Sequence, residues 1–296
     1  MMHTMRPLDW AGVLAVMVVW GLNFPVVKVG LAVMPPFTFV MVRFFAVAVM
    51  LAPFVKWPRR PWALLGLSVT LGAAHFSLMF SGMQRIDAAT ASIAVQLQVP
   101  FAALLAALFF KDKLGWRRLT GMAIAFAGVG LIAGEPRFQG GLGPLLLVLS
   151  AACVWAFANI QIKALGEDID IWSLNGWVAI MAAPQLFVVA LVTEGNPLET
   201  VDWTNLAVWG VLAFQVFLVV IFGYGVWYSM MRRFSVNQVM PFTLLVPVFG
   251  VLSSVTLLGE RLTLPMFIGG IATLFGVGVC VLRRPKVVAD ATKGGM

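Results

Sequence analysis

Apolar residues run through this chain in blocks of about 20, each closed by a short connection rich in charge, proline or glycine. Ten blocks can be marked, at about 8–29, 35–55, 62–83, 88–110, 117–134, 143–163, 172–193, 206–231, 236–258 and 264–282. A helix of that length crosses a hydrocarbon layer about 30 Å thick. The pattern predicts an all-α integral membrane protein with ten transmembrane helices. Little chain is left over for a water-soluble catalytic or nucleic-acid-binding domain.

The blocks are related to one another. The stretch 88–133 returns in register 148 residues later as 236–281: Asp112-Lys113-Leu114 as Glu260-Arg261-Leu262, Gly121 as Gly269, and Gly128-Val129-Gly130 as Gly276-Val277-Gly278. Met83 and Arg85 likewise return as Met231 and Arg233. Nearer the start of each half, Val19-Trp20 matches Val154-Trp155 and Lys28 matches Lys163, at an offset of 135. The offset grows by 13, so the second copy holds an insertion, and the polar run from Thr193 to Asn205 is its expected place. The chain therefore divides into a first five-helix repeat, 1–134, a second, 135–286, and a tail, 287–296, expected to be cytoplasmic and disordered. Five spans is an odd number, so the second repeat enters the membrane from the opposite side. Two inverted five-helix repeats are the sequence mark of secondary transporters, whose halves rock about a site near the midplane.

Composition agrees: of 296 residues 61% are hydrophobic and only 11% charged, with a mean hydropathy of +0.97. The net charge of +8 reads as membrane orientation and not as a nucleic-acid footprint. With the N-terminus inside, fifteen Lys and Arg fall in cytoplasmic segments and four, Lys28, Arg85, Arg137 and Arg261, in outer ones. Both termini are then cytoplasmic. The first span lacks a small-residue cleavage site after its apolar run and is expected to stay attached. Cys153 and Cys280 both sit inside spans and form no metal or redox motif, and no cofactor is implied.

The first span carries Val18-Val19-Trp20-Gly21-Leu22-Asn23-Phe24-Pro25, and a later run reads Leu244-Leu245-Val246-Pro247-Val248-Phe249-Gly250 with Leu257-Leu258-Gly259-Glu260-Arg261-Leu262 after it. These stretches resemble the EamA-type members of the drug/metabolite transporter superfamily, in particular bacterial amino-acid and metabolite exporters of the O-acetylserine and cysteine type. The resemblance implies ten helices in two EamA repeats, an inner-membrane location and export of amino acids or related metabolites. One departure is Lys111-Asp112-Lys113-Leu114, where the family usually has Gly-Glu-Arg-Leu. It points to a helix-end and interfacial anchoring role for this charge pair and for Glu260 and Arg261.

A charge at the bilayer centre costs at least about 2.5 kcal/mol, so an ionisable residue inside a span is a functional candidate. Arg43 lies about two turns into the second span and His75 in the middle of the third, while no Asp or Glu falls well inside any span. Arg43 either bonds backbone carbonyls of a broken neighbour or faces a cavity where a substrate carboxylate supplies the missing charge. His75 shares a face with Gly72, Met79 and Gly82, which suits helix packing as well as a lined pathway. The uncharged candidates are Trp20 and Asn23 on the first span, Gln96 on the fourth, Trp155 and Asn159 on one face of the sixth, and Gln215 and Tyr224 on the eighth. Prolines 100, 241 and 247 mark bends in the fourth and ninth. Glycines seven apart on the fifth and tenth spans suit a helix contact, within a protomer or in a dimer.

The reading that follows is an exporter of small zwitterionic metabolites with a central cavity lined from both repeats, working by alternating access. The other readings are an exporter of different small solutes or drugs, and a non-transporting membrane subunit. An intramembrane enzyme is disfavoured, because the spans hold a single His, no acid and no Ser-His pairing at helical spacing.

Overall fold

The structure, a computed structural model, describes residues 5–110, 114–135, 141–166, 169–234 and 236–281. Lys111, Asp112, Lys113, Arg137 and the tail from 282 onward, all invoked above, lie outside the described residues.

Among the described residues the fold is all-helical. Its long helices are α1 Pro7–Val33, α2 Pro36–Phe54, α3 Pro61–Met83, α4 Ala88–Phe109, α5 Trp116–Ala133, α6 Gly143–Leu165, α7 Ile171–Thr193, α8 Leu206–Arg233, α9 Met240–Leu258 and α10 Leu264–Val281. Nine of them are long and apolar enough to cross a membrane; the exception is α5, whose first turn carries Arg117 and Arg118. Proline opens several helices at the first position, where its missing amide costs nothing: Pro7, Pro36 and Pro61 do so here. The expected insertion between α7 and α8 holds a single helical turn, Pro197–Thr200, capped by Asn196, while Asn205 caps the start of α8.

Glycines decide which helices touch. A Cβ on Gly121 would lie 2.7 Å from the Gly276 carbonyl oxygen, and one on Gly128 would lie 2.5 Å from that of Gly269, so α5 and α10 pack backbone to backbone. The sequence expected helix contact from these four residues, and this is where they meet. Gly21 and Gly250, both in the motifs that carry the family resemblance, bring α1, α9 and α4 together, since Gly21 faces the Gly250 amide and Gly250 faces Ser92. The principal packing pairs are α5 with α10, α2 with α7, α1 with α9, α4 with α6, α3 with α6, α1 with α8, α3 with α7 and α4 with α9.

The bundle has two ends. At one, Asp9 accepts from the Arg6 amide at 2.9 Å and pairs with Arg233 at 2.8 Å; Trp10 meets Phe242 edge-on and Arg60 donates to the Ala164 carbonyl. At the other, two carboxylates from the second half sit on helix starts of the first. Glu194 accepts from the Phe37 and Thr38 amides at 2.9 and 2.8 Å. Glu260 accepts from the Ala88 and Ala89 amides at 2.7 and 2.9 Å. Each supplies an anion to the positive end of a helix dipole. Lys28 does the converse, donating to the carbonyls of Met83, Gln84 and Ile86 at the end of α3, at 2.7, 3.2 and 2.7 Å.

Two helices carry wide π turns, Ser68–His75 in α3 and Phe214–Tyr224 in α8. Two others tighten into 3₁₀ turns, Val95–Leu97 in α4 and Met240–Leu244 in α9. Pro100 and Pro247 account for the latter, because each withdraws the amide that would bond the residue four before it, Gln96 and Thr243.

Candidate functional site

The π turns end on His75 and Tyr224, and between them lies Arg43. Arg43 is 4% exposed. Its guanidinium lies over the Phe76 ring at 4.2 Å and near Phe44 at 5.6 Å, within the range where a ring face attracts a cation. Neither Nε nor Nη1 has a hydrogen-bond partner in the protein. Tyr224 and His75 lie near it, and neither side chain is an anion at neutral pH.

His75 is also buried and donates from Nδ1 to the Ala151 carbonyl at 2.9 Å. A carbonyl can only accept, so the proton sits on Nδ1 and Nε2 is the acceptor of the neutral ring. The imidazole packs 4.7 Å from Phe76 and 4.9 Å from Trp155 of α6. On the other side Tyr224 meets Trp20 edge-on at 5.7 Å, and Trp20 meets Trp227 at 5.4 Å. Trp20 has room because Gly223 lacks a side chain: a Cβ there would come within 2.6 Å of the indole nitrogen. Two aromatic groups, Trp155 with His75 and Phe76, and Tyr224 with Trp20, thus stand on the helices around this cation from α2, with Phe76 directly over it.

The remaining candidates divide. Asn23 and Gln215 are joined, the Gln215 amide donating to the Asn23 side-chain oxygen, and the fully buried Gln215 keeps Oε1 without a partner. Gln96 is buried on the 3₁₀ turn of α4. Asn159 is not brought to the cluster: it is exposed and donates to the Trp155 carbonyl of its own helix at 3.1 Å. The residue missed from the sequence is Phe76. Met79 and Gly82 follow His75 on regular helix, and Gly82 lies against Val148 of α6 as His75 lies against Ala151; Phe76, one residue on from His75, is the ring that closes over Arg43. Its position next to His75 was the only signal.

Three cavities open elsewhere. One of about 310 Å³ lies by Lys56, Arg60 and Asp170; an apolar one of about 600 Å³ lies between α2, α7 and α8; one of about 340 Å³ lies by Pro25, Gly210 and Leu257. None of these three is lined by Arg43 or His75.

Comparison with known proteins adds an independent line. The chain is 36% identical over 294 residues to a probable amino-acid metabolite efflux pump of Escherichia coli, covering 94% of this chain and 97% of that one. It is 34% identical to the protein of the same description in Salmonella typhimurium, covering 90% and 93%. A crystal structure superposes with a TM-score of 0.63 over 94% of this chain and 98% of the other, at 15% identity, which speaks for a shared fold. The profile of the EamA-like transporter family matches twice, over residues 10–134 and 142–282. With that match over most of its length and its apolar helical bundle, this chain is a multi-pass membrane protein that belongs to the EamA-like transporter family.

Proposed function

We propose that the protein is a secondary transporter that exports amino acids or related small metabolites, binding the substrate carboxylate at Arg43. The observation that carries this reading is the buried guanidinium with two nitrogens unpartnered. An isolated buried cation costs several kcal/mol, and a transported carboxylate offers the missing bidentate partner. The ring of Trp20, Phe76, Trp155 and Tyr224 supplies apolar walls, and Asn23, Gln96 and Gln215 supply groups for an ammonium or side chain. The direction of transport and the substrate class are taken from the efflux-pump descriptions of the relatives.

Alternating access between two inverted repeats, 1–134 and 135–286, with α5 as a tenth span, is supported by the packing. Exchanging α1–α5 with α6–α10 maps most pairs onto one another: α1 with α9 becomes α6 with α4, α3 with α6 becomes α8 with α1, and α2 with α7, α4 with α9 and α5 with α10 are unchanged, while α3 with α7 maps onto the looser α8 with α2. The π turns recur near the offset of 148 as well, 68–75 against 214–224. The Gly82 Cβ position lies against Pro144 at the start of α6, which puts that start at the opposite end from Asp9 near the start of α1. The excess of Lys and Arg in the segments on the α1-start side favours N- and C-termini in the cytoplasm of an inner-membrane protein.

Saturable flux of at least one amino acid in proteoliposomes is the expected result. No flux of any amino acid by folded protein overturns the reading.

A further inference from the structure

We propose that the paired side chains of Asn23 and Gln215 read the group next to the substrate carboxylate, so that 2-hydroxy carboxylates are carried as well as 2-amino ones and 2-oxo acids are rejected. The inference rests on the Arg43 reading and adds a second point of contact to it. Gln215 is fully buried, and its amide donates to the Asn23 side-chain oxygen. Two side-chain amides joined by one hydrogen bond use one carbonyl oxygen and leave the other. The oxygen left over is Gln215 Oε1, which meets no donor among the described residues. A buried acceptor without a partner carries its whole desolvation penalty, so a ligand that brings a donor is favoured there.

The pair lies at the depth of Arg43. Helices α1, α2 and α8 meet at Gly30, whose Cβ position lies against the Phe39 ring of α2 and Val211 of α8. Arg43 and Gln215 follow four residues after Phe39 and Val211, on the same faces of their helices. Since α2 starts at Glu194 and α8 ends at Asp9, both run the same way through the bundle. Each residue is therefore about one turn, or about 5.4 Å, further in than the contact at Gly30. On α1, Asn23 lies about two turns from Gly30 in that same direction. Two unsatisfied buried groups, a cation and a neutral acceptor, thus stand at one depth on helices that pack against α1.

The acceptor is an amide and not an acid, and this decides the substrate class. The spans carry no Asp or Glu at this depth, so nothing there requires the donor to be charged. An ammonium gains from a charge-assisted bond, but a zwitterion brings no net charge and leaves that of Arg43 uncompensated. A 2-hydroxy acid brings its carboxylate with a neutral hydroxyl donor and neutralises the buried guanidinium. A 2-oxo acid carries a second carbonyl where the donor should be, which sets two acceptors against each other.

The test is saturable flux through the full chain in proteoliposomes. The amino acid carried fastest is compared with its own 2-hydroxy and 2-oxo acids, in the parent and in Gln215→Leu. In the parent the hydroxy acid should move within about fivefold of the amino acid or faster, and the oxo acid at least about tenfold more slowly than either. In Gln215→Leu both ratios to the oxo acid should fall to about one. The comparison in the parent decides the substrate class even if Gln215→Leu does not fold, and Gln215→Met then takes its place. Exclusion of the hydroxy acid overturns the substrate class. An oxo acid carried as fast as the amino acid, or discrimination left intact in the variant, overturns the role of the pair. If either result comes with the parent still preferring the acid to its carboxamide, this inference fails and the Arg43 reading stands. Loss of that preference in the parent defeats both.

Discussion

Arg43 is the residue on which the account turns, and its energetics separate a binding role from a structural one. An unpaired buried charge destabilises the resting fold, so Arg43→Gln is expected to leave the unfolding temperature unchanged or raise it, while lowering transport at least tenfold. A structural arginine would show the reverse, a lower unfolding temperature with transport per folded molecule retained. Glu194 and Glu260 are the opposite kind of residue, each holding two backbone amides of a helix start. Glu260→Gln should cost about 1–2 kcal/mol of stability in a thermal or denaturant melt, the upper range for a charge at a helix end. Asp170 sets the acid limb. Burial pushes its carboxyl up, but the Ser173 amide and hydroxyl, Lys56 and the Trp172 amide outweigh burial and hold it below the ordinary carboxylate range. A depressed folded-state value means stability that is present above the unfolded value of about 3.9 and lost as pH falls through the folded one. Asp170→Asn should therefore lower stability at neutral pH, where that contribution is fully present, and flatten its fall with pH below about 4. Arg43 was legible as a candidate because a lone cation in an apolar span stands out. Glu194 was not, since a loop carboxylate and a helix start that lie more than 150 residues apart share no sequence pattern.

At the level of helices, the spans themselves were readable from hydropathy: α3, expected at 62–83, runs Pro61–Met83, and α7, expected at 172–193, runs Ile171–Thr193. The seven-residue glycine spacing also named its own contact. Gly128→Val should cost about 1–3 kcal/mol through overpacking, because its Cβ would strike the Gly269 carbonyl, a backbone atom that cannot swing aside. Gly130→Ala, two residues on and facing open space, should be neutral or mildly stabilising in the same melt. The π turns could not be read. They lie where α3 packs on α6 and α7, and α8 on α1, and while the helical wheel placed His75 with Met79 and Gly82, it did not show Phe76 over Arg43. Asn159 differs for another reason: α6 is regular and puts it next to Trp155 as the wheel did, but its amide bonds the Trp155 carbonyl of its own helix.

For the whole molecule, the proposed mechanism is a site between two similar bodies opened in turn to each side, and the duplicated sequence and most packing pairs agree with it. Energy coupling then has few carriers. The spans hold no midplane acid, Arg43 stays charged at physiological pH, and His75 is the remaining group able to exchange a proton. Two outcomes are consistent with this under an imposed pH gradient: downhill flux indifferent to the gradient, or coupled flux abolished by His75→Gln. Uphill accumulation that survives His75→Gln contradicts both. The most direct test of the central claim, a substrate carboxylate paired with Arg43, compares proteoliposome flux of a transported amino acid with that of its carboxamide, in the parent and in Arg43→Gln. The account predicts that the parent carries the acid at least tenfold faster than the amide and that this preference collapses to about one in Arg43→Gln. Equal flux of acid and amide by the parent, or an undiminished preference in Arg43→Gln, would contradict it.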